Sequence, residues 1–197
     1  MSRIDPLPAD RHPDLQTSFG QYAKLLGYVP NSVLIMQHKP KMVAALALLA
    51  QSVWDPASEV PLGFKRLVAY LASCTHGCNY SMAHAAEAAH RAGIDDAKLE
   101  AVVDCRTSAL YTEAERTALD FAVAAASQPN AVTDELMARL KQHWSDAQIV
   151  ELAGAVALNG FLNRWNDTIA PPLEAEPIEF GEQHLARHGW SVGKHRP

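Results

Sequence analysis

Apolar positions along this chain recur at helical spacing, and alternation with period two is nowhere sustained, so the pattern predicts an all-α fold. Leu15 to Leu26 carries one such stripe, and Gly27 can end it. Pro30-Asn31-Ser32 opens a short apolar segment that stops near Pro40, and Met42 to Val53 is apolar almost throughout, the mark of a buried helix. Pro61 suits the first turn of a helix running through Leu67, Val68 and Leu71 toward Cys74. Thr75-His76-Gly77 interrupts it, and a new helix runs from about Cys78 to Ala92, with Gly93 as its left-handed stop and Ile94 as the apolar contact beyond. Glu87 and Arg91 stand at i,i+4 on what reads as its exposed side. Asp95 is a cap for Asp96 to Val103, Thr133 for a short helix ending near His143. Thr112 with Glu115, and Ser145 with Gln148, are capping-box pairs, the second opening a long helix to about Asp167.

After Pro171-Pro172 the pattern changes: Glu174, Glu176 and Glu179 alternate with small or apolar residues, and Phe180 and Trp190 stand far apart. The expected organisation is a helical domain over residues 1–172 and an extended C-terminal arm over 173–197, either loosely attached or docked by its two aromatics. With 197 residues and 48% apolar content the chain can build one substantial core. A net charge of −5 and no basic run longer than Lys65-Arg66 argue against a nucleic-acid partner. No stretch is apolar for long enough to suggest a membrane helix, and the first residues lack the apolar centre of a signal peptide, so the expectation is a cytoplasmic protein. Three cysteines, Cys74, Cys78 and Cys105, are too few for a disulfide framework.

The candidate chemistry lies in Gly77-Cys78-Asn79-Tyr80-Ser81-Met82-Ala83-His84. A cysteine opening a helix meets unpaired N–H groups and the positive end of the dipole, which favour its thiolate. Successive i,i+3 steps put Cys78, Ser81 and His84 on one side, with Ser81 between thiol and imidazole and Tyr80 able to add a hydrogen bond. The alternative is structural: a small buried thiol and a hydrogen-bonded core histidine. Zinc would need compact ligand pairs, whereas Cys74, His76, Cys78, His84 and His90 are poorly spaced for it, so neither metal nor cofactor is expected. Cys74, four residues before Cys78, is a candidate redox partner if the step at Gly77 lets the sulfurs meet. In the long helix Asn159, Asn163 and Asn166 form a polar stripe that ties helices together or lines a pocket, with Arg164 and Asp167 as an i,i+3 ion pair.

The segment from Gly77 to Gly93 resembles the core of the carboxymuconolactone decarboxylase-like, or AhpD-like, alkylhydroperoxidase-related proteins, which often carry Gly-Cys-x-Tyr-Cys-x-x-His before an alanine-rich helix and a glycine. The likeness continues in Gly27-Tyr28-Val29-Pro30-Asn31-Ser32, in residues 112–122 and in residues 146–167. It implies a helical bundle assembled as a homodimer, trimer or hexamer, and thiol peroxidase chemistry in members with both cysteines, a glutamate and the histidine relaying protons. Here Cys78 and His84 match the first cysteine and the histidine, while Ser81 stands for the second cysteine and Arg66 for the glutamate. A hydroxyl has no sulfur oxidation ladder, so the two-cysteine cycle is unavailable at Cys78 and Ser81. The resulting expectation is a peroxidase-related protein reducing hydroperoxides with Cys78 as nucleophile, His84 as acid/base, Cys74 as resolving thiol, and Tyr80, Arg66 and Asn163 in the pocket. A lyase acting on a small carboxylate or lactone, and an inactive binding or assembly module, are the alternatives.

Overall fold

The computed structural model describes residues 2–197. Helix α4 (Leu62–His76) is the centre of the molecule: Leu67, Val68 and Ala72 have no exposed surface. Against it pack α5 (Asn79–Arg91), α7 (Glu113–Ala126) and the long α9 (Asp146–Ile169). Around these lie α1 (Gln16–Leu26), α2 (Asn31–Met36), α3 (Pro40–Val53), α6 (Asp96–Glu100), α8 (Asp134–Leu140) and α10 (Ala175–His184). The remainder is loops and short 3-10 turns, and no strand forms among the described residues. Among the described residues no helix is long and apolar enough to cross a membrane.

The alanines of α5 explain its closeness to α4. Ala83, Ala86 and Ala89 are fully buried, and side chains this small let two helix axes approach. The turn between the two helices is set by Gly77, at φ +79, whose N–H is donated to the carbonyls of Ser73 and Cys74. Cys78 is therefore the N-cap of α5 and its own N–H returns to Ser73 O at 3.3 Å. Both capping boxes form, Thr112 with Glu115 and Ser145 with Gln148, and Thr133 caps α8. Asp95 makes no side-chain cap, and the helix after it shortens to α6 followed by a 3-10 turn over Ala101–Asp104.

Two surface expectations fail. Glu87 and Arg91 do pair, at 2.6 Å, but Glu87 is buried and turned toward Tyr28. Arg164 bonds the carbonyl of Gly160, and Asp167 is held instead by Lys194 at 2.9 Å. The chain after Pro172 is not extended. It forms α10 and two 3-10 turns packed on the body, with Phe180, Leu185 and Trp190 buried. The Trp190 indole N–H donates to Asn79 O at 2.9 Å, and Leu173 N–H to His195 O at 2.8 Å. Gly181 lies flat beneath Trp190, where a Cβ would come within 2.5 Å of the ring. Each large apolar side chain buried this way contributes about 1.5–3 kcal/mol before entropy is charged, enough to hold the segment down.

Candidate active site

A cavity of about 100 Å³ opens between α1, α3, α5 and α9. Leu26, Val33, Leu46, Leu158 and Leu162 give it a mostly apolar wall, into which Arg66, Tyr80, Ser81 and His84 also project. Two hydrogen-bond networks meet there. In the first, Cys78 Sγ lies 3.3 Å from Ser81 Oγ, which accepts from Asn166 Nδ2 at 3.2 Å. Asn166 Oδ1 in turn accepts from Ser32 Oγ at 2.5 Å. In the second, His84 Nε2 is 2.7 Å from Glu174 Oε2, and His84 Nδ1 is 3.2 Å from the Tyr28 hydroxyl, which also reaches Glu87 at 3.2 Å. Tyr80 donates to Glu174 Oε1 at 2.9 Å, and the Asn31 N–H reaches the same oxygen at 2.5 Å. Ser32 joins the two networks, its N–H going to the Tyr80 oxygen and its hydroxyl to Asn166.

The Cys78 sulfur is fully buried and sits behind Ser81 rather than in the cavity wall. The expected lowering by the helix end is overturned. Burial pushes the thiol up to about 11; the Ser81 hydroxyl and N–H offset part of this, and the nearby Asp167 carboxylate adds to it. Behind the sulfur lies a group that the spacing of the motif did not reveal. Cys78 Sγ, an Asp167 oxygen and a His195 ring nitrogen all lie within 4.8 Å of one another. His195 is buried and its Nδ1 meets Pro171 O at 2.9 Å, so that nitrogen carries the proton and Nε2 keeps a lone pair. Nε2 has no hydrogen-bond partner among the described residues and is 3.9 Å from Asp167. Burial holds the imidazole toward its neutral form, with the Pro171 carbonyl and Asp167 pulling the other way and Lys194 reinforcing it. Sulfur, imidazole and carboxylate are donors that zinc accepts, but Lys194 already engages this carboxylate.

These geometries can be set beside known proteins. Residues 40–124 match the family model described as the carboxymuconolactone decarboxylase family. Over nearly its whole length the chain is also similar to the debrominase Bmp8, solved as a cysteine-to-alanine variant in complex with 2,3,4-tribromopyrrole. The two are 30% identical with a TM-score of 0.87, covering 93% of this chain and 97% of that one. The chain belongs to the carboxymuconolactone decarboxylase family. Within the curated proteins it is similar to the uncharacterized protein YnjA of Escherichia coli (strain K12), 37% identical over 86 residues, a match spanning 44% of this chain and 47% of that protein. An uncharacterized peroxidase-related protein from Silicibacter sp. TM1040 superposes with a TM-score of 0.78 at 20% identity, covering 89% of this chain and 93% of its own, and so shares the fold.

Within this family frame the residues singled out by sequence separate. Ser81, His84, Tyr80 and Arg66 reach the cavity, and Cys78 lies one hydrogen bond behind it. Ser81 and His84 share a helix face yet belong to different networks. Arg66 does not serve the thiol: its guanidinium is stacked over the Trp54 ring at 3.9 Å. Cys74 and Cys78 are both free thiols, and burial pushes Cys74 up to about 12, with the Tyr70 hydroxyl partly offsetting it. Asn163 lies elsewhere, in a second cavity of about 480 Å³ with His76 and Arg164. Its neighbours in the stripe, Asn159 and Asn166, tie helices together, Asn159 Nδ2 donating to Ala69 O and Ser73 Oγ on α4. Glu174 is the main omission on the His84 side, and its acidity is set by opposing effects. Burial raises the carboxyl, but the charge and hydrogen bond of His84 and the Asn31 N–H outweigh it, so the net shift is downward.

Proposed function

We propose that this protein is a thiol-dependent reductase of small apolar electrophiles, and that its reaction is the reductive removal of halogen from an aromatic ring. The observation that carries the reading is the position of Cys78, between a lone pair on His195 and a cavity wall made of Ser81. A neutral thiol at about 11 is a poor nucleophile on its own, so it needs a base beside it. Once the sulfur turns from Ser81 and closes the gap of up to 4.8 Å to the imidazole, proton transfer from Sγ to His195 Nε2 creates a thiolate and an imidazolium, and Asp167 stabilises the latter. A change of the Ser81 rotamer exposes the sulfur to the ring. Sulfur then takes the halogen, and the ring carbon takes a proton from the His84 relay. An external thiol reduces the resulting sulfur–halogen bond, giving a mixed disulfide and HX, and a second thiol frees Cys78. The balance is ArX + 2 RSH → ArH + RSSR + HX, and it does not require Cys74.

The apolar wall and the full-length similarity to a debrominase support a halogenated ring as substrate. Hydroperoxide reduction is the second reading, favoured by the same pairing of a thiol with a proton relay, because O–O cleavage also needs a nucleophilic sulfur and a protonated leaving group. Assembly into a homo-oligomer belongs to the proposal as well. Leu48 on α3 and Val150 on α9, 66% and 71% exposed, are apolar side chains that a second copy would cover.

The test is anaerobic incubation with a polybrominated pyrrole and dithiothreitol, reading bromide release and the ring product by mass spectrometry. Release is expected from the native protein and a loss of at least about a hundredfold from Cys78→Ser. Cumene hydroperoxide consumption without bromide release would transfer the assignment to the peroxidase reading. Turnover of either substrate that survives Cys78→Ser would end the thiol mechanism, and activity on a lactone carboxylate without thiols would replace it by the lyase.

A further inference from the structure

Six polar side chains in the cavity wall, Ser32, Tyr80, Ser81, His84, Asn159 and Asn166, are hydrogen-bonded within the protein. Two others are not. Arg66 has neither a hydrogen-bonding side chain nor a carboxylate within ion-pair distance among the described residues; its only specific contact is the Trp54 ring, at 3.9 Å. The Tyr22 hydroxyl is buried with no partner among the described residues. The Arg66 guanidinium, half-buried and stacked on an indole, meets no anion, and the buried unpaired Tyr22 hydroxyl is a second unmet demand. Burial alone pulls Arg66 down to about 10, and no carboxylate pushes it back. Both groups are hydrogen-bond donors: the guanidinium has N–H groups to give and nothing to accept with, and the phenol has one proton. The remainder of the wall is leucine, valine, alanine and proline, which offers nothing to a hydrated ion and much to a ring.

We propose that the cavity takes its substrate as an anion: a planar, halogenated ring whose ionised oxygen or nitrogen lies against Arg66 and Tyr22. Halogens acidify a ring N–H or O–H, so one substituent pattern supplies both the apolar bulk and the charge. This rests on the dehalogenase reading and narrows it, because a neutral halogenated ring would fill the same space and leave both donors unpaired.

Binding separates this inference from turnover. Calorimetry with Cys78→Ser protein in mildly alkaline buffer compares 2,4,6-tribromophenol, ionised there, with its methyl ether, which carries no charge. The phenolate is expected to bind at least about tenfold more tightly than the ether. Arg66→Met is expected to erase that difference, Arg66→Lys to keep part of it, and Tyr22→Phe to reduce it. Equal binding of phenolate and ether, or a preference untouched in both Arg66→Met and Tyr22→Phe, would overturn the proposal. So would selective binding of 2,4-dibromobenzoate over the phenolate, which would place the charge on a carboxylate. Bromide release from phenol and ether alike would leave the dehalogenase standing and remove this inference. Anion-selective binding without any bromide release would do the reverse.

Discussion

Two histidines flank Tyr80, His84 with its ring centre 4.5 Å away and His195 at 5.3 Å, and their surroundings are opposite. His84 has both nitrogens engaged, one by the Glu174 carboxylate and one by the Tyr28 hydroxyl. It is a link in a charged chain that continues through Glu87 to Arg91. His195 is sealed in, with Nδ1 on the Pro171 carbonyl and an unpartnered Nε2 3.9 Å from Asp167, in the same cluster as the Cys78 sulfur. Having partners on both nitrogens makes an imidazole a conduit for protons, whereas a missing partner next to a thiol makes it a base. Both depend on the segment after Pro172, which supplies Glu174 to one and is the other.

Loss of the His195 imidazole should be felt most. His195→Ala is expected to lower kcat by about 10²-fold or more while leaving KM nearly unchanged. It is also expected to shift the pH profile of Cys78 alkylation upward, a readout that a merely structural role would not move. An unchanged profile would return the thiol to the helix end alone. His84→Gln and Glu174→Gln are expected to have smaller effects on turnover, about tenfold, since water can replace part of a relay. Glu174→Gln should in addition cost about 1.5–3 kcal/mol of stability through its charged hydrogen bonds, measurable by thermal unfolding. Because the Glu174 carboxyl is shifted downward, that stability is fully present above the ordinary carboxylate range and is lost as pH falls through the lowered value.

Ser81→Ala is a smaller and sharper probe. It opens the wall in front of the sulfur, so iodoacetamide should modify Cys78 several-fold faster than in the native protein; equal rates would show that Ser81 is not the gate. The smallest effect is on alkaline stability. The folded thiol at about 11 keeps its proton where the unfolded one, near 9, loses it. The resulting stability is complete below the unfolded value and declines as pH rises between the two. Cys78→Ala should flatten that part of the melting curve.

What the sequence made legible follows from locality. The helices and their caps were readable because periodicity, Gly77 and the Thr112 and Ser145 boxes act within a few residues of themselves. Cys78, Ser81 and His84 were readable for the same reason. Their division into two networks was not, because Asn166, Ser32 and Glu174 arrive from distant parts of the chain. His195 carried no signal at all: a lone histidine in a segment without periodicity gains meaning only when the chain folds back. The sign of the Cys78 shift was misjudged because the helix end is a local effect and burial is a global one, and burial prevails.

The flat contact of Gly181 with Trp190 makes the proposed reaction centre vulnerable at a distance. One methyl group added there would force the indole off its seat, slacken the tether to Asn79, and let the imidazole drift from the sulfur. A change in a residue that touches no substrate would then silence the chemistry while leaving the bundle intact.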